Sequence, residues 1–275
     1  MKQFCLFTII LFLAGACTQD HRPAMQRLEN ARAYLAQQEF DKAKAEIDSL
    51  NKLHPKSFDQ RKAGIPLLDS IRKAENIFII ADMDQQLEGL EPVLEKMKAD
   101  FVFQKDEKYQ ETGAYIPKAL LGSGVLSYTT LHAGVEEDGR IYLESIYIGG
   151  QKHNQLKVTA GDSFAETLPV DEDGFAHRFT DLGKTYEVIK FIGESENHVA
   201  RFVAENADSN LKVQLSGQHT TTYALPKNIK EAIKKSVDLS SQMLLIDSLK
   251  TVKEQAEFKN FYLDNGRQTS VAVEE

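Results

Sequence analysis

"SYTTLHAGVEEDGRIYLESIYIG", residues 127–149, decides how the middle of this chain is read. Glu137-Asp138-Gly139 is a turn of the Asp-Gly type, with glycine free to take the positive φ that tight hairpins need. Beyond it Ile141, Leu143, Ser145 and Tyr147 alternate with Tyr142, Glu144, Ile146 and Ile148. Successive side chains of a strand face opposite ways. This limb is therefore a strand apolar in part on both faces, which suits a central place in a sheet. The stretch predicts an antiparallel hairpin.

Working outward, the same short β-branched and aromatic runs recur at Gln155–Thr159, Phe164–Val170, Ala176–Thr180, Thr185–Phe191, His198–Glu205, Leu211–Ser216 and Thr220–Leu225. Turns fall at Ala160-Gly161-Asp162, Asp171-Glu172-Asp173-Gly174 and Asp208-Ser209-Asn210. About nine strands at intervals of roughly 8–12 residues predict an antiparallel sandwich or barrel-like domain over 101–226. Residues 23–100 and 227–265 instead carry apolar residues every third or fourth position in a background rich in Ala, Leu, Lys, Glu and Gln. The class is thus α+β: an N-terminal helical hairpin platform, a β-domain and a long C-terminal helix, with 266–275 as a frayed tail.

"ARAYLAQQEFDKAKAEIDSLNKLHP", residues 31–55, places Ala31, Tyr34, Phe40, Ala43, Ile47, Leu50 and Pro55 at the spacings of one tetratricopeptide repeat, which it resembles. Small residues at 31 and 43 let two helices approach closely, and Pro55 ends the second. No second copy follows, and Arg27 stands where the family carries a large aromatic. A lone repeat cannot bury its own face, so the next helix, Ser57 to about Leu90, is its expected partner. The stripe proposed for it is Ile65, Leu68, Ile71, Ala74, Phe78 and Ile79, with Pro66 as a kink or a true start and Glu91-Pro92 opening a further short helix through Met97. A single repeat makes no peptide groove.

The C-terminal helix opens on Pro226-Lys227-Asn228 and Glu231, a capping box with Asn228 as cap. Leu245, Leu249, Val252, Ala256 and Leu263 lie near heptad spacing. Two heptads fall short of the three or four that mark a coiled coil. Packing on the β-domain and dimerisation through this stripe both remain open.

The N-terminus carries the clearest signal of place. Lys2 precedes an apolar run from Phe4 to Ala16, too short for the roughly 20 residues of a spanning helix. Residues 1–16 therefore read as a signal peptide and 17–22 as a polar tether. Leu13-Ala14-Gly15-Ala16-Cys17 resembles the lipobox of bacterial lipoproteins, with the departure that the leucine usual three places before the cysteine is Ala14. That resemblance implies acyl chains on Cys17 as the membrane anchor. An ordinary signal peptide cut after Ala16 is the alternative. Either cut discards Cys5, leaving Cys17 with no partner for a disulfide. "DGRIYLESIYIGGQKHNQLKV" and "SFAETLP", residues 138–158 and 163–169, resemble the β-domains of uncharacterised Bacteroidetes-type lipoproteins. By resemblance to lipoprotein sorting, Thr18 rather than Asp after Cys17 implies the outer membrane, and the thin acidic content of Thr18-Gln19-Asp20 implies the periplasmic side.

Without residues 1–16 the chain has 32 basic and 41 acidic residues, a net charge of −9. That balance argues against nucleic acid and against adsorption to anionic lipid. Catalytic signals are thin. His132, His153, His177, His198 and His219 all lie in the β region without metal-ligand spacing, and read as surface or strand-edge residues. Asp171-Glu172-Asp173-Gly174, with Asp162 and Glu166 nearby, lacks the distal ligands of a calcium loop. Gly122-Ser123-Gly124 lacks the strand-turn-helix setting of a nucleophile elbow, and Gly149-Gly150 precedes no helix that would cradle phosphate. No catalytic residue, metal site or cofactor is assigned. The expectation is a lipid-anchored envelope protein of scaffold or protein-interaction type, with a protein partner in the envelope. A small-ligand or glycan-binding module, for which Tyr142, Tyr147 and Phe175 would cluster, is the alternative, and an envelope hydrolase is third.

Overall fold

The computed structural model describes residues 22–108, 111–121, 128–171, 176–181 and 183–271, with side chains through 265. Five helices are described: α1 (Arg22–Ala36), α2 (Phe40–Leu53), α3 (Phe58–Lys98), α4 (Val199–Glu205) and α5 (Lys227–Val271). The strands are β1 (Phe101–Gln104), β2 (Ala114–Pro117), β3 (Thr130–Glu136), β4 (Ile141–Ile148), β5 (His153–Ala160), β6 (Ser163–Glu166), β7 (Ala176–Asp181), β8 (Lys184–Ile192), β9 (Leu211–Gly217) and β10 (Thr221–Ala224). The fold is α+β, with two antiparallel sheets. Two compact units divide the chain: Met1–Ile80 with Gln255–Glu275, and Ala81–Glu254.

In the first unit α1 and α2 form the expected helical hairpin. Ala31 and Ala43 are fully buried, and Tyr34 and Phe40 pack against the core of Leu28, Ile47, Leu50 and Ile71. Gln38 turns the chain with φ 59°. The third helix closes this core with Leu68 and Ile71 of the expected stripe, joined by Gly64 and Leu67. Gly64 sits where a Cβ would lie 3.3 Å from Leu50, so the helix approaches through Gly64, Leu67, Leu68 and Ile71. Ile65 and Phe78 are left exposed.

Neither proline breaks α3, which runs unbroken from Phe58 to Lys98. A helical proline gives up one backbone hydrogen bond and crowds the carbonyl four residues earlier. Pro66 and Pro92 both lie on exposed positions, where water can take the freed carbonyls. Core contacts flank each: Gly64 and Leu67 around the first, Leu90 and Leu94 around the second. Packing on both sides outweighs the local penalty.

In the second unit the six-stranded sheet has the order β1-β2-β3-β4-β8-β7 and the four-stranded sheet the order β10-β9-β5-β6. The β3–β4 hairpin pairs Thr130 with Ile146 and Val135 with Ile141 about the turn at Gly139, whose φ is +87°. Strand β4 is central, with β8 on its other side. Leu131, Leu143, Ile189 and Phe191 from one sheet meet Leu156, Val158, Val213 and Leu215 from the other. Helix α4 adds Val199, Ala200 and Val203, and the first turns of α5 add Ile229 and Ile233. Strands β1 and β2 had no counterpart among the expected strands, being four residues each around a polar loop. Phe103 and Tyr115 pair across them with ring centroids 5.0 Å apart.

Residues His198–Glu205, expected as a strand, end in helix α4. Val199, Ala200 and Val203 are buried at positions i, i+1 and i+4, a helical and not a strand period. The Glu196 carboxylate accepts the N–H groups of His198 (3.0 Å) and Ala200 (2.5 Å), filling donors that a helix start leaves open. In α5, Asn228 lies inside the first turn. The Pro226 carbonyl accepts the Lys230 N–H at 3.1 Å, so Pro226 holds the place expected for Asn228.

The apolar stripe of α5 meets α3 within the second unit. Leu239, Met243, Ile246 and Leu249 pack with Leu87, Leu90, Leu94 and Met97, and Lys253–Asp84 (2.6 Å) and Lys250–Glu91 (2.9 Å) fix the two helices antiparallel. Of the expected stripe, Leu249 and Ala256 are turned inward while Leu245 and Val252 point outward. Phe191 is fully buried where the two sheets meet. Phe191→Ala should cost about 3–5 kcal/mol of stability through lost burial and a residual cavity. Urea unfolding of the second unit's signal checks this.

Candidate functional site

Alternation along β4 sends Tyr142 and Glu144 to the face opposite the sandwich core. There they meet Glu136 from β3 and Lys190 from β8, in a cavity of about 670 Å³ walled by the β1–β2 segment through Phe103, Lys105, Glu111 and Thr112. Cross-strand register sets the group, since Glu144 stands opposite both His132 and Lys190. Lys190 is ion-paired with Glu136 and lies over the Tyr142 ring, 3.9 Å from its centroid. The Thr112 hydroxyl donates to the other Glu136 oxygen at 3.2 Å. Gly134 makes room: a Cβ there would lie 2.2 Å from the Tyr142 hydroxyl oxygen.

The electrostatics of this floor are unbalanced. Burial, then the neighbouring charges of Glu144 and Glu136, push the Tyr142 phenol up. Burial also pushes the Glu144 carboxyl up; Lys190 opposes that shift and Glu136 adds to it. Among the described residues neither the Tyr142 hydroxyl nor the Glu144 carboxyl has a hydrogen-bond or ion-pair partner. Phe103 forms the rim, its ring lying over Gly113, where a Cβ would come within 2.2 Å of it.

A second cluster lies between the sheets. His153 on β5 places Nδ1 2.6 Å from Glu187 Oε2 and Nε2 2.8 Å from Ser145 Oγ. The His153 backbone N–H also donates to Glu187, at 3.0 Å, and Arg178 pairs with the other Glu187 oxygen. A bulge between His153 and Gln155 displaces this end of β5, and Gly217 opposite it lets two backbones approach. Burial alone would push the Glu187 carboxyl up. The hydrogen bonds and charge of His153, with Arg178, outweigh that and hold it below its ordinary value.

Ser145, His153 and Glu187 repeat the hydrogen-bond order of a serine-hydrolase triad. A nucleophile must meet a substrate carbonyl, however, and Ser145 has 0% exposure. Two cavities border His153, of about 10 and 130 Å³, and Ser145 lines neither. The trio is a polar clasp joining β4 and β8 of one sheet to β5 of the other.

Of the five histidines, His132 and His153 are buried in the second unit, against the expectation of surface or strand-edge positions. His153 is turned between the sheets, whereas His132 shares the outer face of the six-stranded sheet with Glu144, its cross-strand neighbour. His177 is exposed on β7 with its ring centroid 5.4 Å from Phe179, and His219 lies in the β9–β10 turn. Tyr142 and Tyr147 leave opposite faces of β4, so they form no cluster, and Phe175 lies outside the described residues. Asp171 borders a cavity of about 130 Å³ with His153, Arg178 and Glu187, while Glu172–Gly174, Gly122–Gly124 and Cys17 are outside the described residues. Among the described residues no group of three or more His, Cys, Asp or Glu could hold a metal ion.

The helical unit presents a different surface. Phe258, Phe261 and Tyr262 are 61%, 63% and 64% exposed on α5, with Phe258 and Tyr262 edge to face at 4.8 Å. Phe258 and Tyr262 border a cavity of about 500 Å³ with Lys44, Arg72 and Lys259. No protein-family model, no curated protein and no solved structure matches the chain. Its function is therefore argued from these surfaces.

His153→Ala should lower stability by roughly 2–3 kcal/mol, because the buried Glu187 carboxylate loses one partner while keeping Arg178 and the residue-153 N–H, while Ser145→Ala should cost about 1 kcal/mol. Chemical denaturation distinguishes the two. A pH effect follows from His132, whose burial lowers its pKa from 6.5 to about 4. The unfolded chain takes up that proton first, so stability falls as pH drops from 6.5 to about 4, by about 3 kcal/mol in full. Melting curves of His132→Leu across that window should be flatter than those of the native chain.

Proposed function

We propose that this chain is a lipid-anchored, non-enzymatic protein of the cell envelope that docks another envelope protein through its helical unit. The observation that carries this reading is the exposed aromatic group Phe258, Phe261 and Tyr262. Three large rings on one helix, each more than half exposed, form the kind of surface that marks interaction sites. Tyr and Phe are favoured at interface centres because they bury much area for little side-chain entropy. The neighbouring cations Arg72 and Lys259 favour a partner that brings an apolar side chain flanked by carboxylates. Support for the anchor is the lipobox-like run ending at Cys17. Among the described residues no helix is long and apolar enough to cross a membrane. Two or three acyl chains, at about 0.8 kcal/mol per buried methylene, would hold the protein stably. The outer membrane, facing the periplasm, is the proposed place.

A second reading, small-ligand binding, is favoured by one specific feature: the cavity on the six-stranded sheet, lined by a Tyr142 hydroxyl and a Glu144 carboxyl that have no hydrogen-bond partner among the described residues.

Cys17→Ser should move the chain from the membrane to the soluble fraction, and retention on the membrane would remove the anchor. In cells, a photoreactive side chain at position 261 should form a covalent adduct with one protein, and Phe258→Ser with Tyr262→Ser should abolish it. An intact-cell experiment without any adduct would sink the docking reading.

A further inference from the structure

We propose that the cavity on the outer face of the six-stranded sheet binds a small organic cation carrying an ammonium group, held by Glu144 and Tyr142. This rests on the ligand-binding reading of that cavity and names its ligand class. At about 670 Å³ the space falls in the range of small-molecule sites, roughly 300–1,000 Å³.

The charges on the wall select the ligand. Lys190 is neutralised by Glu136, and Lys105 lies 4.0 Å from Glu137 outside the cavity. Glu144 shares the charge of Lys190 with Glu136, and Asp106 and Glu111 also line the cavity. The wall thus carries four acidic side chains against two basic ones. Tyr142, only 4% exposed, has a hydroxyl without a described partner. An anion would meet no free positive charge on this floor. A neutral polyol could reach the same oxygens, yet would leave the acidic excess of this partly desolvated wall unbalanced, which is costly. A bare divalent ion wants six or more oxygens, and no described group of three or more acidic or imidazole side chains converges to hold one. An ammonium supplies both the missing charge and several N–H donors, one for the Glu144 carboxylate and one for the Tyr142 oxygen. Phe103, at the rim, offers an apolar face to the carbon skeleton.

The test is calorimetric titration of the full chain in detergent with 1,5-diaminopentane, with its neutral counterpart 1,5-pentanediol, with glucose and with inorganic phosphate. Binding of the diamine alone is the expected result. Glu144→Gln should weaken it roughly tenfold or more, the loss of a charge-assisted bond, and Tyr142→Phe by a smaller factor. Both variants should keep the native melting profile, which separates loss of the site from loss of the fold. Should the diol, glucose or phosphate bind and the diamine not, the cavity is a ligand site of another class and the ammonium inference falls. Diamine affinity unchanged in Glu144→Gln would also overturn it. Heat from none of the four would overturn both the inference and the ligand-binding reading beneath it.

Discussion

Strand β4 has to serve two environments at once. Its side chains alternate by geometry, so Leu143 and Ser145 enter the space between the sheets while Tyr142 and Glu144 enter the cavity outside. A slip of one residue would exchange the two sets and put a carboxylate into the sandwich core. Register is therefore pinned from both sides, by Leu143 against Phe191 on β8 and by the pairing of Glu144 with Lys190 on the neighbouring row. Core, clasp and cavity all follow from that one alternation.

The polar groups that β4 carries have opposite fates. Ser145 finds His153 and through it Glu187 and Arg178, and both His153 ring nitrogens and both Glu187 oxygens are used. Such a network fixes which strands face each other. On the other face, Glu136 and Lys190 satisfy each other but Tyr142 and Glu144 are left over. A protein spends stability to keep unsatisfied groups, and cavities are where such groups acquire a use.

Much of the fold was legible because it depends on local rules. The Asp-Gly turn marked the β3–β4 hairpin, and the small residues Ala31 and Ala43 marked the close contact of α1 and α2. Readings failed where a neighbour decided. Val199–Glu205 has residues that suit a strand, yet the Glu196 carboxylate and a core on one side make it a helix. The stripes on α3 and α5 were right at Leu68, Ile71, Leu249 and Ala256, but Gly64 and Ile246, not Ile65 and Leu245, face the packing partner. The short β1 and β2 strands carry too few residues for alternation to register.

The candidate site was less legible than the fold. Tyr142 and His153 stood out as residues in the sequence, but Glu136, Glu144, Glu187 and Lys190 were indistinguishable among many charged residues. By itself the sequence determined the helical and β regions at large and the main hairpin, since each depends on neighbours within a few positions. Only the tertiary structure joined Ser145, His153 and Glu187, and set Lys190 against Glu136, residues up to 54 positions apart. Strand order does that work: it is fixed by burying the inner faces of two sheets together, and no local pattern encodes which strand will lie beside which.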